Sequence, residues 1–215
     1  MDRRSFLRTS ATLALLPLAE APAIAAATKA GSNDAKLNEV FEDIFKERVR
    51  NSPELASSLG LDKGANADLK SKLDTRLGEV ARKEDLARNR RGIAQLNAIP
   101  ASTLSDSQKL NREVVLYSLD TATQAPARWD IDSAQRPYTI TQQGGAYFST
   151  PDFLNTAHAI NDAADAEAYL SRLNQFATVL DNDTADQRAQ ARRGFLAPAW
   201  SIDLALGQML SLIHI

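Results

Sequence analysis

Few side chains in this sequence have the types and spacing that catalysis requires. The 215 residues include two histidines and no cysteine. His158 and Asp162 are four residues apart, so they would share one face of a helix. A catalytic zinc site, however, takes three protein ligands. We therefore expect His158 to be a structural or surface histidine. The lack of cysteine excludes disulfides, thiol catalysis and cysteine-ligated zinc.

A pair of carboxylates, Asp130 and Asp132, follows Trp129. In extended backbone both would point to one side, where they can serve acid–base chemistry or hold a cation. No third ligand or motif accompanies them, which argues against catalysis. Residues 142–145 lack the Lys-Ser/Thr of a phosphate-binding loop, so we expect a turn there. No G-x-S-x-G motif occurs either.

The N-terminus predicts export from the cytoplasm. Arg3 and Arg4 precede an apolar stretch over residues 11–18, and small residues follow at 23–27. This is the order of a cleaved signal peptide, and the paired arginines favour the Tat translocase over the general secretion route. Pro17 and Glu20 interrupt the apolar stretch, which is far shorter than the roughly 20 residues of a membrane span. We expect a signal at residues 1–27, a periplasmic or secreted protein, and no stable membrane span.

The remaining sequence predicts an all-α domain over residues 28–209. Its apolar residues recur at helical spacing, and the formal net charge of −2 argues against a nucleic-acid partner. We expect roughly six to eight helices packed as an antiparallel array. The helices are predicted at residues 34–50, 53–59, within 66–98, and at 105–123, 150–160, 165–181 and 184–194, and a last helix is predicted after Pro198 with Ser201 as its cap.

Three local features refine this prediction. Arg82 and its basic neighbours alternate with acidic residues, which indicates a solvated helix face. Residues 105–108 fit a capping box, and the helix that follows should turn Leu110, Val114 and Tyr117 towards the core. Residues 125–149 lack a helical period and predict an ordered irregular loop, in which residues 139–141 can form a short strand.

Several segments together resemble a family of exported bacterial proteins, domain-of-unknown-function family eight-eight-five. They are N-S-P-E-L-A-S-S-L-G-L-D at 51–62, N-R-E-V at 111–114, R-P-Y at 136–138, D-A-E-A-Y-L-S-R-L at 165–173, and the stretch from Gly194 to P-A-W at 198–200. The family is distantly similar to gluzincin zinc metallopeptidases, and its members are much longer than this chain. The resemblance therefore implies an N-terminal fragment.

Several expectations follow from this resemblance. The family's zinc-binding H-E-x-x-H motif is missing here, so no metal ligand or catalytic residue carries over. The chain alone should be inactive and hold no cofactor, while the full-length protein should bind zinc. Its partners would be the missing C-terminal catalytic half and a peptide substrate. This region would form one wall of the substrate cleft, and the candidates for lining it are Trp129, Arg136, Tyr138 and Tyr147.

The last six residues, 210–215, break the preceding polar pattern and resemble a translated adapter sequence. We expect the natural sequence in this chain to stop near Met209 and residues 210–215 to be non-native, which would leave His214 without a function. The alternative is that these residues are a genuine apolar helix end. For the chain as a whole, two further alternatives stay open. It can be a complete, non-catalytic helical binding module of the periplasm, or a purely structural domain.

Overall fold

The structure, a computed structural model of the chain, describes residues 31–76, 78–135 and 137–213, with backbone alone for residues 212 and 213. Within this part the regular secondary structure is helical, and the β-type pairing is limited to one isolated bridge between Thr141 and Gly144, so the all-α prediction is confirmed. The α-helices are α1 (Asp34–Arg50), α2 (Pro53–Ser58), α3 (Gly78–Asn97), α4 (Asp106–Trp129), α5 (Ala146–Thr156), α6 (Ala163–Arg192) and α7 (Ala199–Ile213). Short 3-10 helices span Gly64–Ser71 and Ala101–Thr103.

Some predicted features lie outside the described residues. These are the signal segment with Arg3 and Arg4, the cleft candidate Arg136, and His214. The backbone of residues 210–213 continues α7. Among the described helices, none combines the length and the apolar character needed to cross a bilayer.

The first two helices follow their local sequence signals. α1 has the predicted bounds, and Pro53 occupies the first turn of α2, where its missing N–H costs no hydrogen bond. Gly60 follows Leu59, the C-cap residue of this helix, and has a φ of 67°. Leu61 N donates to Ala56 O at 2.8 Å, which closes the helix end in the manner that a glycine in the left-handed conformation allows.

α3 and α4 pack antiparallel, and together with α1 they enclose the main apolar core. Arg112 near the start of α4 donates to Leu96 O near the end of α3, while Arg82 near the start of α3 pairs with Asp130 just beyond α4. The core contains Leu37, Leu96, Ile99 and Leu104, with half-buried residues of α1 and α4 around them. A second cluster of Val49, Ala56 and Leu69 joins α1, α2 and the first 3-10 helix.

The irregular loop is shorter than predicted. α4 continues through Pro126 to Trp129, because a proline near a helix end removes only one backbone hydrogen bond. Asp130 then terminates the helix in the left-handed conformation, with a φ of 50°. α5 begins at Ala146, ahead of the predicted cap at Thr150. The loop therefore covers residues 130–145, and residues 139–141 form no strand beyond the isolated bridge at Thr141.

Other helix boundaries were also predicted wrongly. α6 is one continuous helix of 30 residues across positions 182–184, where two helices were expected. The charged segment 66–98 is divided between the first 3-10 helix, an extended stretch at residues 72–76 and α3. Ser105 caps α4 without a side-chain hydrogen bond, so the predicted capping box does not form. Its backbone N–H instead donates to Asp34 at 2.9 Å.

The face of α4 that packs against the core is not the face that the sequence predicted. Leu110, Val114 and Tyr117 are 61%, 58% and 75% exposed, whereas Val115, Leu116 and Leu119 pack against the core. α4 carries apolar residues on two faces, and periodicity alone does not tell which of them is buried.

Arg82 does not lie on a solvated face, contrary to the prediction. Its side chain is 4% exposed and forms a paired contact with Asp186 of α6, which is 3% exposed. The two guanidinium–carboxylate distances are 3.0 and 2.9 Å. Burial opposes ionisation of Asp186, but hydrogen bonds from Arg82 and Thr139 hold the pKa of its carboxyl below the ordinary value. This ion pair joins α3 to α6 across the interior.

α6 is held mainly by polar side chains that bind the backbone of irregular segments. Arg172 and Gln175 bind the backbone of the extended stretch at residues 72–76, where Leu73 N donates to Gln175 at 2.9 Å and Arg172 donates to Lys72 O at 2.9 Å. This stretch forms no helix or sheet that would pair its own backbone N–H and C=O groups. The side chains of α6 therefore supply the hydrogen-bond partners that regular structure would otherwise provide.

We predict that Asp186→Asn destabilises the fold by about 3 kcal/mol, because the buried Arg82 charge loses its buried counter-ion and keeps only the more exposed Asp130 and Asp132. Chemical denaturation of the purified protein measures this change. The matched control is Lys83→Met on the same helix, which removes an exposed pair with Glu79. Equal losses of stability in the two variants would contradict the assigned role of the buried pair.

Candidate functional site

The irregular loop at residues 130–145 is fixed by side chains from α6 and α7. Ile140 N donates to Gln187 at 2.9 Å, and Gln190 donates to Asp130 O at 3.1 Å. Gln142 N donates to Ser201 of α7 at 3.2 Å. The loop therefore has one defined conformation, although it contains little regular structure of its own.

The end of this loop depends on a glycine. Gly145 has a φ of 106°, a backbone conformation that side chains with a Cβ rarely adopt. A Cβ added there would also lie 3.3 Å from the Asp183 carboxylate. The next residue, Ala146, donates its N–H to that carboxylate at 2.5 Å, so the turn at Gly145 fixes the start of α5 against α6.

A cleft of about 650 Å³ lies between the loop, α2, α5 and α6. The loop contributes Tyr138 and Asp132, α2 contributes Glu54, and α6 contributes Asp183. Phe153 of α5 adds a second aromatic ring. Clefts of this size at the junction of several elements are the usual place for a small-molecule or peptide ligand.

The charged groups of the cleft are carboxylates in different environments. Burial raises the pKa of Glu54, although Asp74 N donates to it. Burial likewise raises the pKa of Asp183, although Ala146 N donates to it. Glu54 accepts from Asp74 N at 2.8 Å and Asp183 accepts from Ala146 N at 2.5 Å, so each of these two carboxylates has a backbone partner. Asp132 is more open, with 63% of its side chain exposed.

Two aromatic candidates from the sequence occupy different positions. Tyr138 lines the cleft and is half-buried. Tyr147 is 3% exposed, and its hydroxyl lies 2.7 Å from Thr141 O and 2.8 Å from Gln208 of α7. Tyr147 therefore fastens the loop to α7.

The third candidate, Trp129, lies at the end of α4 and is 45% exposed. The guanidinium of Arg128 lies 5.8 Å from its ring centroid. Trp129 does not contribute to the cleft between α2, α5 and α6, and the fourth candidate, Arg136, lies outside the described residues.

The two carboxylates that follow Trp129 both face Arg82. Asp130 accepts from the Arg82 Nε at 3.0 Å, and Asp132 lies 3.8 Å from the same guanidinium. Asp130 also accepts from Arg193. Asp130 thus belongs to an ion-pair network at the C-terminal end of α4. Asp132 lies between this network and the cleft, which it also lines.

His158 is a buried structural residue, 6% exposed. The sequence predicted a helix at this position, but His158 lies just beyond the C-terminal end of α5. Its Nδ1 lies 2.7 Å from the Arg172 guanidinium and its Nε2 lies 3.0 Å from Asp165 O. Both ring nitrogens are therefore occupied. Asp162 instead caps α6 through a hydrogen bond from Asp165 N. In the described part of the chain, no three His, Asp or Glu side chains form a group that could hold a metal ion.

Sequence reasoning missed the cleft carboxylates Glu54 and Asp183. Glu54 was expected in the first turn of α2, and Asp183 falls between the two helices predicted at 165–181 and 184–194. Only the packing of α2 and α5 against α6 brings these residues to one cleft.

Residues 53–215 match the sequence model of a family described as bacterial protein of unknown function (DUF885). No curated protein and no solved structure matches the chain.

We predict that Tyr147→Phe lowers the free energy of unfolding by about 1–2 kcal/mol, because a buried hydroxyl that binds two segments is removed. Thermal or chemical denaturation measures the loss. Tyr138→Phe is the control, since the Tyr138 hydroxyl makes no hydrogen bond to the described residues. A Tyr147→Phe protein as stable as the Tyr138→Phe protein would contradict the assignment.

Proposed function

Because the chain belongs to the DUF885 family of bacterial proteins, we propose that it is the helical N-terminal region of an exported, zinc metallopeptidase-like protein. In this proposal the cleft between α2, the loop, α5 and α6 forms one wall of the substrate site. The observation that carries the proposal is the cleft itself, about 650 Å³ in volume and lined by carboxylates and aromatic rings.

The residues present do not fit a zinc centre. The sequence has no H-E-x-x-H motif and two histidines, and His158 uses both ring nitrogens within the protein. The proposal therefore assigns the metal, the catalytic glutamate and the peptide hydrolysis to a C-terminal part outside this chain. It assigns to the present chain the binding and orientation of the peptide.

The chemistry of the cleft suits a ligand that combines a positive charge with apolar groups. The carboxylate oxygens of Glu54 and Asp183 can accept hydrogen bonds from an ammonium group, and charge-assisted bonds of this kind are the stronger ones. The rings of Tyr138 and Phe153 offer apolar contact beside them. A peptide that presents a free amino terminus or a lysine side chain has both properties.

Export through the Tat route belongs to the same proposal. Arg3, Arg4 and the apolar stretch that follows them support it, together with the absence of cysteine, since the fold then forms without disulfides. The mature protein would act in the periplasm or outside the cell.

We expect short peptides with a free amino terminus to bind the chain, and Asp183→Asn to weaken binding about tenfold through loss of a charge-assisted contact. Isothermal titration with trialanine measures this, and N-acetyl-trialanine serves as the ligand control. Glu113→Gln, at an exposed position on α4, is the matched protein control and should bind as the unchanged protein does. Equal affinity for the free and acetylated peptides would contradict the proposed role of the cleft.

We also expect the gene to encode an H-E-x-x-H motif in frame downstream of codon 209. Sequencing the locus past this codon tests the prediction. A stop codon directly after codon 215, together with a soluble monodisperse product, would contradict it. That outcome would support the alternative, a complete binding module that uses the same cleft without catalysis.

A further inference from the structure

A second groove lies between α1, α3 and α4, and none of its lining residues belongs to the cleft of the candidate site. Its volume is about 520 Å³. The α4 residues that line it extend from Val114 to Ala122, which is about 12 Å along the helix axis at 1.5 Å per residue. The groove is therefore long enough for a chain-like ligand, and it lies between packed helices, where ligand sites occur in helical proteins.

One end of this groove is apolar, at the point where α1 and α4 come close to the backbone of α3. A Cβ on Gly92 of α3 would lie 3.1 Å from a methyl group of Leu119 and 3.3 Å from a methyl group of Ile44. Leu119 and Ile44 also line the groove, together with Val115. A ligand that reaches this end would therefore contact aliphatic side chains from two helices.

Charged residues lie at the other end of the groove. The residues before α3 contact the residues after α1, so these two helices run antiparallel. Arg48 follows Ile44 by about one turn of α1, and Arg88 precedes Gly92 by about one turn of α3. Both arginines line the groove. The antiparallel course therefore places them at the same end, away from the apolar contacts at Gly92.

The carboxylates that line the groove are already paired with arginines. Glu47 accepts from Arg91 at 2.5 Å. Asp85 is paired with Arg88 and lies 3.3 Å from Arg76. A positively charged ligand would therefore meet carboxylates that already have cationic partners, and it would gain little from them.

Arg48 is different, because it forms no ion pair with the described residues. Its side chain is exposed at the groove. Asn89 of α3 also lines the groove, and its side-chain amide forms no hydrogen bond within the part of the chain that the structure describes. A ligand carboxylate can pair with Arg48 and accept from Asn89 without displacing a contact inside the protein.

We propose that the groove between α1, α3 and α4 binds an aliphatic carboxylate of medium chain length. The carboxylate pairs with Arg48, and the chain lies along α4 towards Leu119 and Ile44. This site is independent of the proposed function, because it selects the opposite charge from the cleft and shares no residue with it. A failure of either binding experiment therefore leaves the other unaffected.

Titration of the 215-residue chain with sodium octanoate tests the site, with calorimetry for the affinity and methyl NMR for the location. We expect the methyl signals of Ile44, Val115 and Leu119 to shift. Hexanoate should bind about tenfold more weakly, because two methylenes are lost from apolar contact. Octylammonium has the same chain with the opposite charge, and it should bind at least about fivefold more weakly than octanoate.

Arg48→Gln tests the position of the carboxylate, and we expect it to weaken octanoate binding about fivefold, the size of an exposed ion pair. The matched control is Arg90→Gln on α3, because Arg90 is also exposed but does not line the groove. It should bind octanoate as the unchanged protein does. The proposal would be overturned by a lack of octanoate binding, by equal affinity for octanoate and octylammonium, or by equal affinities of the Arg48→Gln and Arg90→Gln proteins. Shifts at Tyr138 and Phe153 of the cleft, without shifts at Leu119, would also overturn it.

Discussion

Side chains of α6 supply many of the hydrogen-bond partners for the backbone of two irregular segments, and the rest of the structure depends on this arrangement. The extended stretch at 72–76 and the loop at 130–145 have few internal hydrogen bonds, yet both lie against α6. Side chains of α6, such as Gln175 and Gln187, pair with their N–H and C=O groups. Four of the five buried residues of α6 are polar. Without these contacts, neither segment could be packed away from water, and the cleft would lose the wall that the loop contributes.

Local sequence signals predicted the elements whose ends are set by their own residues. Asp34–Arg50 formed as expected, and Pro53 and Gly60 bounded α2 as their backbone preferences require. The predictions were wrong where tertiary contacts decide. α4 was predicted to end at residue 123, but it continues past the buried Ala125 to Trp129, where the left-handed turn at Asp130 terminates it. The outward face of α4 was mistaken for its core face because both faces carry apolar residues.

The candidate site was less predictable than the fold, because its members come from distant parts of the chain. Tyr138 was among the loop residues expected to line a cleft, whereas no sequence pattern indicated that Glu54 and Asp183 would reach the same cleft. The ion pair between Arg82 and Asp186 was not predicted either, because the alternating charges along α3 suggested a solvent-exposed face. One cue was present in the sequence. A Cβ on Gly78 would lie 2.6 Å from the Asp186 carboxylate, so a glycine at the start of α3 marks a close approach whose partner only the folded chain reveals.

The polar character of the α6 interface also determines how partial openings of the structure should respond to temperature and denaturant. When an interface is made of hydrogen bonds and ion pairs, its separation hydrates little apolar surface, so the accompanying heat-capacity change and the sensitivity to urea are both small. The core around Leu37 and Leu96 has the opposite property, because it is apolar and fully enclosed. Partial openings at α6 would thus be nearly independent of denaturant, while global unfolding would depend on it steeply, and amide hydrogen exchange can separate these two regimes.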